Sequence, residues 1–274
     1  MAKDRYDPVE YWEGLLSTDF TIAGVAHPYL PRSFNGAMYR AMERSVRQAL
    51  SRRGLEPPLA SVRVLDVGSG VGLWLAFWQR LGVSRLNGLD LTETATRRLS
   101  EGFPDVEVTQ ADIGSGEAPE LGRFDVISVV NVLLHLTDDA AFATALRNLG
   151  ALLAPGGMLI VIDPVVVARS WRPPAPEANS KARKLSEWRT ALADAHLRLE
   201  RVSPVTVILD SPADARFRRS FDLRQSLWQL ICRVVYRRET LGAIVGATLY
   251  RIDTVLVRLS RTGPSSKCLV ITTE

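Results

Sequence analysis

At 274 residues the chain is long enough for one well-buried domain with elaborations, and its 46% hydrophobic content is ordinary for a globular protein. Two cysteines, Cys232 and Cys268, argue against a disulfide framework and fit a reduced, cytoplasmic setting; residues 1–7 hold no apolar signal core and no uncharged apolar run reaches about 18 residues. The net charge of +4 is unevenly spread: residues 216–261 carry ten arginines against three acids, a local +7, which leaves −3 on the remainder.

Residues 1–57 read as an N-terminal helical cap. Tyr11 and Trp12 lie in its first part, His27-Pro28-Tyr29-Leu30-Pro31 marks a loop, and a helix over 36–53 ends at Gly54 and Pro57-Pro58. From residue 58 strands and helices alternate, which predicts a mostly parallel sheet covered on both faces. The strands fall at 62–67, 85–91, 106–110, 124–130 and 158–162. The first is followed by a helix to 81, the second by a helix capped by Thr92 and running to 100. Residues 138–153 place Phe142, Ala145, Leu149 and Leu152 on one helical face, and Pro155-Gly156-Gly157 breaks that helix. Residues 169–180 read as a Pro- and Arg-rich loop, 186–197 as a helix with His196 facing solvent, and 201–209 as a strand. Two helices over 212–264 and a strand over 267–273 complete the chain. The division is therefore a cap (1–57), an α/β core (58–211), a helical insertion (212–264) and a last core strand (265–274).

Between the first strand and its helix runs Val64-Leu65-Asp66-Val67-Gly68-Ser69-Gly70-Val71-Gly72. Glycines let backbone approach a ligand closely, and the helix start offers unpaired N–H groups. Dinucleotide sites prefer G-x-G-x-x-G with the pyrophosphate on the helix end. Here the glycines alternate, and the carboxylate of Asp66 stands two residues before the first of them. A negative side chain there repels a diphosphate and suits a cation. Asp90 ends the second strand, 24 residues after Asp66, where paired oxygens suit the two hydroxyls of a ribose; a dehydrogenase places an acid there too. Ala111-Asp112-Ile113 follows the third strand, and Asn131 then Val132-Leu133-Leu134-His135 follow the fourth.

In order and spacing these segments resemble the class I S-adenosylmethionine-dependent methyltransferases, over roughly residues 58–210 and the last strand. The resemblance implies a doubly wound, mostly parallel seven-stranded sheet of the Rossmann-like methyltransferase fold, with an N-terminal helical cap and a C-terminal helical insertion before the last strand. It implies S-adenosyl-L-methionine as cofactor, S-adenosyl-L-homocysteine as product, and a site made by Asp66, Gly68, Ser69, Gly70, Gly72, Asp90, Leu91, Ala111, Asp112, Ile113 and Asn131. Asp112 would accept from the adenine amino group, and the strand end at Asn131 would lie under the methionine part. Trp12 and Tyr39 belong to the segment that often folds over the cofactor in this family, and their faces attract a sulfonium; plain packing is their alternative.

His135 is the first candidate for a general base, because imidazole titrates near working pH. The reading preferred for it is the plainer one, a backbone-bonded residue that shapes the pocket. His27 is a second candidate, against a surface role. Asp163-Pro164 lacks the Asp-Asn pair of metal-dependent small-molecule methyltransferases, so no metal is expected. Similarity to bacterial enzymes that decorate secondary metabolites implies methyl transfer to a small, lipophilic or polycyclic acceptor at oxygen, with carbon and nitrogen as alternatives. An RNA methyltransferase is disfavoured, since Asn131 is followed by Val-Leu-Leu and not by the Pro-Pro-aromatic of base-amino enzymes. A non-methylating cyclase or cofactor-binding protein on the same scaffold stays open. Phe217, Phe221, Leu223, Leu227, Trp228, Leu230, Ile231, Val234 and Val235 give the late segment a wide apolar face edged by arginines, and Gly242-xxx-Gly246 permits close helix contact. Residues 216–261 are thus read as a lid, a homodimer interface, a peripheral membrane contact or a helical pair packed on the core.

Overall fold

In the computed structural model, which describes residues 6–27, 29–170 and 179–274, seven strands form one sheet. They are β1 (Arg63–Val67), β2 (Arg85–Asp90), β3 (Glu107–Gln110), β4 (Phe124–Val130), β5 (Leu153–Pro164), β6 (Leu197–Pro204) and β7 (Ser266–Thr273), in the spatial order β3-β2-β1-β4-β5-β7-β6. β7 runs antiparallel to both β5 and β6, and the remaining pairings are parallel. The strand order reverses between β1 and β4, which opens a crevice beyond their carboxyl ends.

Strand side chains alternate between two cores, as a sheet buried on both faces requires. Val64, Val126, Ile160 and Val270 pack with α3 (Arg32–Arg52) and α4 (Leu73–Arg80). Leu65, Ile127, Leu159 and Leu269 pack on the other side with α6 (Asp139–Leu152) and α7 (Leu185–Asp194). α1 (Pro8–Thr18) and α2 (Ile22–Val25) border the crevice, α5 (Glu93–Gly102) follows β2, and α8 (Arg218–Val235) and α9 (Glu239–Leu259) precede β7. The side chain of Thr92 accepts from the Ala95 amide, the N-cap expected for α5.

Several boundaries differ from the sequence reading, among them the start of β6, at Leu197 and not 201. The sixth strand ends at Pro204 and not near 209, because the Asp253 carboxylate takes the amides of Val207 (2.8 Å) and Ile208 (2.9 Å) in place of a ladder. α7 stops at Asp194, and His196 sits in the turn to β6 with φ 54°, not on a helix face. β5 starts at Leu153, with the Pro155-Gly156-Gly157 segment inside it beside a register shift against β4. α3 begins at Arg32, four residues early, with Pro31 as an N-cap that has no side-chain acceptor. Its orphan amides are met from 206–207 residues away: Glu239 accepts from Arg32 N (2.9 Å) and Ser33 N (3.1 Å). Residues 171–178 of the expected 169–180 loop, and Pro28 of the 27–31 loop, lie outside the described residues.

Glu239 is also the first residue of α9. Downstream, a Cβ at Gly242 would lie 2.8 Å from Pro31 Cγ, so that glycine permits the close α3–α9 approach. Replacing Glu239 with Ala should cost about 1 kcal/mol in urea unfolding, the usual size of a lost cap. The two amides hold this carboxylate below its usual range, so its contribution is present above that range and fades on acidification. The gap between wild type and variant should therefore close as pH falls below 4.

Candidate active site

β1 hands the chain to α4 through a turn in which Gly68, Gly70 and Gly72 all have positive φ (73°, 52° and 82°). The constraint is tightest at Gly68, where a Cβ would meet Val132 Cγ2 at 2.3 Å. Any side chain there would push the turn away from the segment that follows β4. Gly72 serves as the left-handed cap of α4, packed against Phe103 and Leu99.

Beneath this turn lies Asp66, only 1% exposed. Register opposes it to Ser128 of β4, whose hydroxyl donates to Asp66 Oδ1 (2.7 Å) and accepts from the Trp78 indole N–H of α4 (2.9 Å). Asp66 Oδ2 is buried without a hydrogen-bond partner among the described residues. Burial raises its pKa from 3.8 to about 7, against the opposing pull of the Ser128 hydrogen bond. Tyr39, at the cleft wall, is pushed to about 12 by burial and by the charge of Asp66.

Asp90 is also buried, and burial raises its pKa. Its Oδ2 accepts from Gly70 N (2.7 Å), while Oδ1 accepts from Thr92 N (3.0 Å) and Thr92 Oγ1 (2.7 Å). Three donors leave about one of its roughly four acceptor positions free. Asp112 is exposed, and its Oδ1 accepts from Gly114 N (2.8 Å). Asn131 takes φ 56° at the end of β4, a backbone region that asparagine tolerates better than most residues, and its amide nitrogen points to Met42 Sδ (3.9 Å).

These groups surround a cleft of about 930 Å³ including its open mouth. Of the residues expected at a cofactor site, Gly68, Ser69, Gly70, Asp90, Leu91, Ala111, Asp112, Ile113, Asn131, Tyr39 and Trp12 line it. Asp66 and Gly72 do not: the first underlies the lining and the second shapes the helix start. The cap closes one side through Pro8, Trp12 and Leu16 of α1, and the Glu13 carboxylate accepts from Thr94 N and Oγ1 to hold α1 against α5. His135 lines the cleft with its ring edge-on to Trp12 (4.8 Å between centroids). Its Nδ1 faces the Asn179 carbonyl at 2.6 Å, which fixes the proton on Nδ1 and leaves Nε2 as an acceptor. Burial lowers its pKa from 6.5. His27 lies away from the lining, beside Trp228 of α8 (5.9 Å).

Sequence reading overlooked Ser128 and Trp78. The signal was a polar residue inside the apolar run 126–130 of β4, level with Asp66, but it needs the strand register to be seen. Leu16, Val25, Trp74 and Leu136 also line the cleft and read in the sequence only as apolar residues.

A family model described as "Methyltransferase domain" matches residues 35–206, more than half of the chain. The chain is 37% identical over 107 residues to an uncharacterized methyltransferase of Mycobacterium tuberculosis, covering 38% of this chain and 52% of that one. It is 31% identical over 105 residues to a ubiquinone biosynthesis O-methyltransferase of Albidiferax ferrireducens, covering 36% and 40%. The chain thus spans about half, or less, of the curated relatives it matches. A solved methyltransferase structure from Galdieria sulphuraria superposes with TM-score 0.52 at 14% identity over 84% of each chain, a likeness of fold.

Asp66 makes an inverted pH prediction. Its folded pKa lies above its unfolded value, so its buried neutral form is tolerated at low pH and folding loses stability as pH rises through about 7. Asp66→Asn should therefore melt higher than wild type at pH 8, by roughly 2–8 °C. The difference should vanish near pH 4 in a thermal scan without ligands.

Proposed function

The chain belongs to the methyltransferase-domain family, the class I S-adenosylmethionine-dependent group, and we propose that it methylates a small lipophilic acceptor at oxygen. The observation that carries this reading is the orphaned, buried carboxylate oxygen of Asp66 under a turn whose first glycine tolerates no side chain. A cationic nucleoside fits that arrangement: a positive group nearby would favour the charged form of Asp66 that burial alone disfavours. A diphosphate would meet the opposite.

S-adenosylmethionine, when bound, supplies a methyl carbon activated by a positive sulfur. This chain's residues would do the rest. Gly68, Ser69 and Gly70 offer backbone, Asp90 keeps an acceptor position for a ribose hydroxyl, and Asp112 with Ile113 suits an adenine edge and face. Asn131, Tyr39 and Trp12 would bound the reacting end. In-line displacement asks chiefly for alignment and a water-poor cleft, and the apolar walls from α1, α4 and the segment after β4 favour both.

His135 Nε2 is the acceptor available for the proton of an attacking hydroxyl. That supports oxygen as the methylated atom, as does the relative named for ubiquinone biosynthesis O-methylation. The predominantly apolar lining supports a lipophilic acceptor of the kind found among secondary metabolites.

Titration of S-adenosylmethionine into the protein at pH 7, in two buffers of different ionisation heat, should reveal release of protons, because burial holds Asp66 partly protonated. Asp66→Asn should abolish that release and weaken binding at least tenfold; unchanged affinity would remove the assignment. His135→Asn keeps a donor for the Asn179 carbonyl but no Nε2. With hydroxylated lipophilic acceptors it should lower kcat by about 10²–10⁴ without changing cofactor affinity. The wild-type acid limb should lie below pH 6.5, since burial lowers the His135 pKa. Cofactor binding with no S-adenosylhomocysteine release across such acceptors would favour the non-methylating alternative.

A further inference from the structure

α8 turns Phe221, Trp228, Ile231 and Val235 inward, with the Trp228 ring against Phe34 of α3 and against His27. What it leaves outside is not a scatter. Leu223, Leu227, Leu230 and Val234 follow one another at i, i+4, i+7 and i+11, a continuous stripe along the helix, and they are 72%, 45%, 56% and 40% exposed. Single exposed leucines need no explanation, whereas an ordered row marks a contact surface. At the step of an α-helix Arg219 and Arg233 border one side of the stripe and Arg224 the other. α9 repeats the pattern with Ile244, Ile252, Val255 and Leu259 facing out and Arg251 and Arg258 nearby on the exposed side.

The acids of this segment are engaged elsewhere. Asp253 is buried on the Val207 and Ile208 amides, Glu239 holds the start of α3, and Asp222 pairs with Arg218 at 3.7 Å. Arg219, Arg224 and Arg233 have no salt-bridge partner among the described residues. The stripe therefore offers hydrocarbon flanked by uncompensated positive charge.

We propose that the outer face of α8, extended by α9, docks on an anionic lipid bilayer, with the leucines at the acyl boundary and the arginines among the headgroups. A second copy of the chain answers the pattern poorly. Two-fold pairing would bring the same arginines together across the contact with no carboxylate on the stripe to meet them. A nucleic acid would satisfy the arginines and leave the leucines against phosphate or water. A bilayer satisfies both. α9 is by length and composition apolar enough to cross a membrane, but Gly242, Gly246 and Asp253 bind its inner face to the protein, which suits lying on a surface.

The test is flotation of the full chain with lipid vesicles, read without cofactor or turnover and so separable from the methyl-transfer reading. Vesicles of phosphatidylglycerol in phosphatidylcholine should carry the protein; pure phosphatidylcholine should not, and binding should weaken as salt rises. Leu227→Glu with Leu230→Glu should abolish flotation, and Arg219→Glu with Arg233→Glu should weaken it at least tenfold. All four positions are exposed, so melting temperatures should match wild type and identify any misfolded variant. No flotation with the anionic vesicles at low salt, or equal flotation with both lipids, would overturn the proposal. So would a dimer in sedimentation that Leu227→Glu splits while vesicles are ignored, or salt-sensitive retention on RNA in place of vesicle binding.

Discussion

A carboxylate sealed beneath a glycine turn, with one oxygen answered by Ser128 and the other unanswered, is the constraint to which the rest of the crevice conforms. Desolvating a charged group without a counter-charge is costly, so the ligand-free protein keeps Asp66 near the balance between its two protonation states. The Trp78–Ser128–Asp66 chain ties that balance to the packing of α4 on the sheet. Asp90 contributes differently. Its backbone and side-chain donors are already in place, so it braces the Gly70 turn and the start of α5 before anything binds. One acid thus leaves an oxygen unanswered beneath the lining, and the other, 24 residues further along the chain and in the lining itself, is held by three donors.

Most of the sheet is legible in the sequence because its signals are local. β-branched runs, turn glycines and the Thr92 cap act within a few residues of where they are written, and they mark β1 to β4 and the glycine turn after β1 closely. Three of the misses share one cause. The end of β6, the start of α3 and the role of Ser128 each depend on a partner at least 45 positions away, namely Asp253, Glu239 and Asp66. A side chain that replaces a ladder or a cap from that distance leaves no local trace. Asp66 shows the other limit: residue type and spacing identify it, but not that it would sit below the lining. His135 was readable as a cleft residue, while its tautomer depends on the Asn179 carbonyl, 44 residues downstream.

The late helices are bound to the early ones at several levels. Glu239 completes the first turn of α3, Gly242 and Gly246 admit α9 to its surface, and Arg44 of α3 reaches Thr254 Oγ1 (2.6 Å) and the Val205 carbonyl (2.8 Å). α3 in turn carries Tyr39 to the cleft wall.

Residues some 207 positions apart in the chain therefore form a single mechanical part. Recombination that exchanged only α8 and α9 with a related enzyme would strip α3 of its cap and slacken the wall bearing Tyr39. Drift in one segment of such a lineage should be matched by compensating change in the other.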